Sequence, residues 1–299
     1  MSLSSALLKH LFIHRIAHIP WSDITISAWP APHKRPYWSP PASWAGNFGL
    51  EFNVSHQAGL TVLMGCRTPD RDSSSQPQDV LSTTNAAECG GAPETTSPKP
   101  RIGVDVTCTS EPGRRPQRIT NDAELGKWVD IFTEMFSARE RDQIRHDPFP
   151  LHSQSVLAED RIEAKLRRFY TYWSLKEAYI KMVGEGLLAK WLRELEFRAV
   201  VSPRPVPKAE EDEWEWGFED PVTHATRNDA ALLTYLHGQR IENVKIELDA
   251  YQDIFIIASA IRGVTDQPDH TRQKWIRIDL ERDIGPCVEG RCDCLSQPV

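Results

Sequence analysis

A short stretch near the middle of the chain has the residue types and spacing to hold a charged ligand. In RFYTYWSLKEAYIKMVGEG (168–186), Trp173, Glu177 and Lys181 recur every four positions. At 3.6 residues per turn that spacing puts all three on one face of an α-helix. Lys176 sits one residue round from Glu177 and can reach the same space from the side. An aromatic ring, a carboxylate and an ammonium on one stripe are able to hold a metal ion and a phosphate together. The plainer alternative is an exposed Glu177–Lys181 ion pair worth about 0.2–0.5 kcal/mol.

Three further groups have chemistry to offer. Ser55-His56 follows the alternating run Leu50–Val54. At a strand end it presents a hydroxyl and an imidazole to an anion, or is ordinary turn chemistry. In Arg101–Val106, Ile102, Val104 and Val106 point to one face of a strand, leaving Gly103 and Asp105 on the other. A carboxylate beside a residue without a side chain lets a bulky anion or metal complex approach; the alternative is an aspartate capping a turn. His33-Lys34-Arg35-Pro36 is a small basic knot held by prolines, or simply a solvated loop.

The elements that must position these residues follow from periodicity. Ser4–His18 reads as an amphipathic helix ended by Pro20, with Leu7, Leu8, Leu11 and Phe12 on one face. Ile24–Ala28, Leu50–Val54 and Gly59–Gly65 have strand character. Cys66–Pro100 contains no aromatic residue and is rich in Ser, Thr, Pro, Asp and Gln. It cannot bury enough surface to offset its ordering entropy, and a mobile insertion is expected there. The insertion divides the chain into an N-terminal half, 1–100, and a C-terminal half, 101–299. Asn121–Phe136 is expected to be a helix burying Trp128, Ile131, Phe132 and Met135, and Ser137-Ala-Arg-Glu140 is a capping box opening another. A long helix over about 155–183 ends near Gly184 and Gly186. Strands are expected at Leu195–Val200, Trp214–Phe218, Val244–Leu248 and Ile254–Ile261, giving the long helix a sheet to pack on. Trp275–Ile284 reads as a last strand or a packed tail.

Composition sets the outer limits. A chain of 299 residues with 40% hydrophobic content can bury a substantial core, and the coarse class is α+β. A net charge of −7 advertises no general polyanion surface, so no nucleic acid is expected and any phosphate site must be built locally. No apolar run approaches a membrane span and no secretory signal is evident, so a cytoplasmic protein without a membrane partner is expected. The cysteines are scattered except for Cys287, Cys292 and Cys294. That C-x4-C-x-C spacing fits no standard zinc pattern and shows no fourth ligand, so free thiols are expected and no metal is assigned to them.

Asn53-Val-Ser-His56, then Gly103-Val-Asp105, then Trp173-Ser-Leu-Lys-Glu-Ala-Tyr-Ile-Lys181, preceded by Lys34-Arg35-Pro36, occur in one order. That ordered set resembles the 4′-phosphopantetheinyl transferases of the surfactin-synthetase-activating class, most closely their fungal and animal members. The resemblance covers about 5–261 apart from the insertion. It implies two α+β halves related by a pseudo-twofold, each a small antiparallel sheet against a long helix, with coenzyme A in the cleft between them. The implied reaction moves phosphopantetheine from coenzyme A to a serine of an apo carrier domain and releases adenosine 3′,5′-bisphosphate. Carried over by position, Asp105 and Glu177 match the acidic Mg²⁺ ligands, and Lys181 and Lys176 match lysines that neutralise the phosphates. Ser55 and His56 match the pair at the coenzyme's 3′-phosphate, and Arg35 a basic residue near the coenzyme. Glu177, directly or through a metal-bound water, is the candidate base for the serine proton, with Lys181 beside it in catalysis.

The implied partners are apo carrier domains of fatty-acid, polyketide, nonribosomal-peptide or aminoadipate-reductase enzymes, and a monomer is expected. Arg114, Arg115 and Arg118 are plausible contacts for an acidic carrier, or members of a solvated loop. Two departures accompany the resemblance. Thr107 stands where many bacterial members have a second acid, and the N-terminal half is expected to be shortened at its start. The competing expectation is a non-catalytic homologue that binds coenzyme A or a carrier domain.

Overall fold

The computed structural model describes residues 2–30, 35–69, 100–110, 119–146, 157–187, 189–206, 232–263 and 275–296. Two helices, each packed on an antiparallel sheet, carry the α+β fold. In the first half, α1 (Leu3–Ala17) packs on the hairpin of β3 (Gly49–Gln57) and β4 (Leu60–Thr68). A small ribbon of β1 (Ile26–Ala28) and β2 (Pro36–Trp38) lies beside them. Their common core is aromatic: Trp38, Trp44, Phe48 and Phe52 close over Ile13 and Ala17 of the helix. His18 adopts a left-handed conformation that ends α1 one residue before Ile19-Pro20.

A longer helix packs on a second antiparallel sheet. β5 (Arg101–Cys108) pairs antiparallel with β10 (Phe255–Arg262), which pairs with β9 (Val244–Tyr251). The 26-residue α4 (Ala158–Val183) lies on this sheet. Beneath it the sheet presents small groups, since Gly103 faces Ala260 across the ladder and Asp105 faces Ala258. Gly103 is required there. A Cβ at that position would sit 2.1 Å from the Ala178 carbonyl oxygen and 2.3 Å from the Met182 nitrogen. The glycine therefore admits the helix backbone, not a bulky ligand, which corrects the expectation drawn from the G-x-D pattern.

The opposite face of β5 behaves as its alternation requires. Ile102, Val104 and Val106 bury against Val62 and Met64 of β4 and against β10. β3 and β5 are then joined by side chains instead of a backbone ladder. Asn53 Oδ1, Ser55 Oγ and Gln57 Oε1 accept from the N–H groups of Val104, Val106 and Cys108 at 3.1, 3.2 and 3.1 Å. The period of two along both strands makes this a continuous stitch between the sheets.

Around α4 the remaining elements form a shell. α2 (Asp122–Asp130) starts at an Asn121 cap, and α3 (Ala138–Arg145) starts at the expected Ser137–Glu140 capping box. The helix expected over Asn121–Phe136 stops at Asp130 and continues as turns. Met135 is buried, whereas Ile131 is 70% exposed and leaves the predicted stripe. A short sheet of β6 (Leu195–Arg198), β7 (Leu233–Leu236) and β8 (Gln239–Ile241) completes this side, with β7 and β8 unforeseen. The strand expected at Trp214–Phe218, the arginines at 114, 115 and 118, and His33 and Lys34 lie outside the described residues. So does most of the expected insertion, although Cys66, Arg67 and Thr68 belong to β4.

The tail does not form a strand. Residues 275–279 lead into a π-helical turn (Leu280–Ile284) and α5 (Gly285–Val288). It packs against α1 of the first half, where Leu11 meets Ile284 and Cys287. This brings His14 to the three tail thiols and supplies the fourth donor that spacing alone did not reveal.

Candidate functional site

Along the last turns of α4 nearly every side chain is buried. Trp173, Glu177 and Lys181 remain partly accessible, at the expected four-residue spacing. Trp173 packs on the rings of Phe132 and Phe169 and fixes the upper end of the stripe. The lower end meets β5. Asp105 is 5% exposed, yet its carboxylate accepts three hydrogen bonds. Lys181 Nζ donates to Asp105 Oδ1 at 2.8 Å, Ser55 Oγ donates to the same oxygen at 3.1 Å, and Thr107 Oγ1 donates to Oδ2 at 2.7 Å. Lys181 Nζ also donates to Ser55 Oγ at 2.9 Å. The lysine side chain keeps 27% exposure, so its charge is open to an incoming anion.

Glu177 shares this space. Burial pushes its carboxyl up to about 7, the negative charge of Asp105 adds to the rise, and Lys181 opposes it. Glu177, disfavoured in its charged form by burial and by the charge of Asp105, stands in a site short of positive charge. A divalent cation relieves that deficit and reverses the local proton preference. The donor set of hard carboxylate oxygens, with the Thr107 and Ser55 hydroxyls beside Asp105, fits Mg²⁺.

Ser55 joins this cluster by a different route from the one expected. It lies inside β3, not at a strand end, so Ser55 and His56 point to opposite faces. Ser55 Oγ accepts from Val106 and Lys181 and donates to Asp105, which uses its full capacity. It positions Asp105 and Lys181. His56 is exposed on the other face.

Besides His56, two more of the expected residues are not brought to the Asp105–Lys181 cluster. Lys176 is completely buried on another side of α4, where it ion-pairs with Glu140 at 2.8 Å. It also donates to the carbonyls of Leu192, at 3.0 Å, and Leu195. One residue of helix is 100° of rotation, and that turns the ammonium from the site into the core. Arg35 is 5% exposed and is likewise spent on structure. Its guanidinium donates to the carbonyls of Lys181, Met182 and Ile102 at 3.3, 3.0 and 2.7 Å and to the Glu51 carboxylate. It thereby ties the end of α4 to β5 and β3. Sequence reasoning missed Glu140 as a partner for Lys176. Glu140 was visible as the third residue of the capping box, but its second oxygen, which accepts from the Phe197 N–H at 2.9 Å, depends on the tertiary fold.

Comparison with known proteins identifies the family. Residues 101–232 match the model of the 4′-phosphopantetheinyl transferase superfamily, and residues 1–68 match that of the 4′-phosphopantetheinyl transferase N-terminal region. The chain is 40% identical to 4′-phosphopantetheinyl transferase A of Aspergillus fumigatus, over 99% of this chain and 85% of that protein. It is 38% identical to 4′-phosphopantetheinyl transferase NpgA of Emericella nidulans, over 99% and 84%. Similarity extends at 26% identity to an L-aminoadipate-semialdehyde dehydrogenase-phosphopantetheinyl transferase of Rattus norvegicus, over 67% of this chain and 51% of that protein.

Proposed function

The chain belongs to the 4′-phosphopantetheinyl transferase superfamily, and we propose a division of labour among its site residues for the family's reaction. The enzyme transfers the 4′-phosphopantetheine group to a serine of apo carrier proteins. In the proposed scheme coenzyme A is the donor. The serine oxygen forms a bond to the phosphorus that carries the pantetheine arm. The bridging P–O bond to the adenosine side breaks, and adenosine 3′,5′-bisphosphate leaves with the electron pair. The serine proton passes to Glu177.

The observation that carries this reading is the juxtaposition of buried Asp105 with Lys181 and with a Glu177 held up to about 7. That value belongs to the metal-free carboxyl, and Mg²⁺ on it would lower its proton affinity, so the ionised form is available at neutral pH. Asp105 and Glu177 would hold Mg²⁺, whose charge, when bound, neutralises the pyrophosphate of the leaving group. Lys181, half in the site and half open, meets a phosphate oxygen as negative charge builds on it. Ser55 and Thr107 keep the Asp105 carboxylate oriented throughout. His56, exposed on β3, remains the candidate for the coenzyme's 3′-phosphate. The carrier domains are those of fatty-acid, polyketide, nonribosomal-peptide or aminoadipate-reductase enzymes, and the enzyme acts as a monomer. Among the described residues no helix is long and apolar enough to cross a membrane.

Intact-mass analysis of an apo carrier protein after incubation with the enzyme and coenzyme A tests the scheme. A Mg²⁺-dependent gain of one phosphopantetheine on the acceptor serine, abolished in Glu177→Gln with the fold retained, is the expected result. No gain, while another transferase modifies the same carrier, would leave a binding-only homologue as the answer. Undiminished transfer by Glu177→Gln would remove that residue from the mechanism.

A further inference from the structure

A second cluster of chemically active side chains lies away from the transferase site, where the tail meets α1. His14, Cys287, Cys292 and Cys294 place their ligand atoms all within 4.8 Å of one another. His14 Nε2 is 3.0 Å from Cys292 Sγ, and the sulfurs of Cys287 and Cys294 are 3.8 Å apart. We infer that these four residues form a structural zinc site that clamps the C-terminal segment onto the first helix.

Three observations carry the inference. The first is size. Zn–S bonds of about 2.3 Å at tetrahedral angles set sulfur–sulfur edges of about 3.8 Å, which is the Cys287–Cys294 separation. A disulfide requires about 2.05 Å, and all three cysteines are free. The second is the orientation of the imidazole. His14 is 1% exposed, and its Nδ1 lies 2.6 Å from the Ile19 carbonyl oxygen. A carbonyl can only accept, so Nδ1 carries the proton and Nε2 turns its lone pair to the thiols. Histidines that ligate zinc are oriented by the same kind of outer hydrogen bond. The third is the anchoring of the tail around the cluster. Arg15 donates to the Asp283 carbonyl at 3.0 Å, His18 Nδ1 contacts the Cys294 carbonyl, and Leu11 packs with Ile284 and Cys287.

Three sulfurs and one nitrogen make a closed tetrahedral set with no position left for substrate, which is the pattern of structural rather than catalytic zinc. Three thiolates and one imidazole around Zn²⁺ leave a net charge of −1, and Arg15, which also pairs with the Asp283 carboxylate at 3.8 Å, lies within electrostatic range of Cys294. Binding displaces the thiol protons, so the site fills more readily as pH rises. Its role is separate from transfer and does not depend on the reading of Asp105 and Glu177.

Elemental analysis of the full chain, purified reduced and with zinc supplied, is expected to find about one zinc per chain that survives gel filtration. Replacing zinc by Co²⁺ should give the intense visible and thiolate charge-transfer bands of a tetrahedral sulfur-rich site. Cys292→Ser and His14→Ala should each lose the metal, while Cys66→Ser, outside the cluster, keeps it. A strong chelator should lower the Tm of the unsubstituted protein, which guards against variants that simply fail to fold. The inference is overturned if the reduced chain holds no zinc and gives no Co²⁺ bands. Zinc content unchanged in Cys292→Ser, or a Cys287–Cys294 disulfide in protein made with zinc present, would overturn it equally.

Discussion

In the proposed scheme Asp105 and Glu177 share the metal from different environments. Asp105 is buried but surrounded by three donors, whereas Glu177 has burial and a like charge against it. Asp105→Asn should therefore lower transfer by roughly 100-fold or more while leaving the far-ultraviolet spectrum unchanged, because it removes charge and keeps shape. Below about pH 7 Glu177 carries a proton. The carboxylate needed for the metal and for the base appears only as pH rises through that value. We expect kcat/KM to climb through about 7 when Mg²⁺ is scarce and the rise to move to lower pH as Mg²⁺ saturates, and the residual rate of Glu177→Gln to show no such step. Stability moves the opposite way. The folded carboxyl is held above its ordinary 4.5, so the unfolded chain loses that proton first. This group's contribution is fullest below about 4.5 and is lost as pH rises to about 7. Urea titrations at about pH 5 and about pH 8, with and without Mg²⁺, check the sign, with Mg²⁺ restoring stability at the higher pH.

At the scale of elements, α4 is held by what lies under it and by one buried ion pair. Gly103→Ala would force a methyl group against the backbone of Ala178 and Met182, neither of which has a flexible end to move. A loss of about 1–3 kcal/mol or more is expected in chemical denaturation. Lys176 and Glu140 join α4 to α3 and β6, and burial lowers the lysine and raises the glutamate against their mutual attraction. Lys176→Met strands the carboxylate in the core and should cost about 3–5 kcal/mol. The double variant with Glu140→Gln should recover part of that loss, and a double-mutant cycle measures how much. The lysine of the W-x-x-K-E stretch looked like a phosphate ligand because a neighbour of Glu177 can reach the same solvent. Which side of the helix is solvent was decided by α3 and β6, elements far from it in sequence.

At the scale of the molecule, β3 is joined to β5 and α4 by polar side chains, two of which, Arg35 and Ser55, read as ligands in the sequence. Arg35 spans α4, β5 and β3, and Asn53, Ser55 and Gln57 stitch β3 to β5. Arg35→Met should lower Tm, since it leaves Glu51 without its partner and three carbonyls without a donor, while KM for coenzyme A is unchanged in the protein that stays folded. A raised KM at unchanged Tm would make Arg35 a coenzyme ligand instead. Asn53→Ala should cost about 1–3 kcal/mol by leaving the Val104 N–H unpaired in the interior, as read by its faster amide hydrogen exchange.

The sequence by itself determined what local geometry can decide. It placed Trp173, Glu177 and Lys181 on one stripe through the helical period, set Gly103 and Asp105 opposite Ile102, Val104 and Val106 through the strand period, and opened α3 with its capping box. These depend on neighbours within a few residues. Only the tertiary structure decided which side of each element would be covered. It sent Lys176 and Arg35 into the core, set Ser55 beside Asp105, gave the space above Gly103 to a helix backbone, and brought His14 to three thiols at the other end of the chain. Each of those outcomes depends on contacts between segments distant in sequence, and no local pattern records which segments will meet.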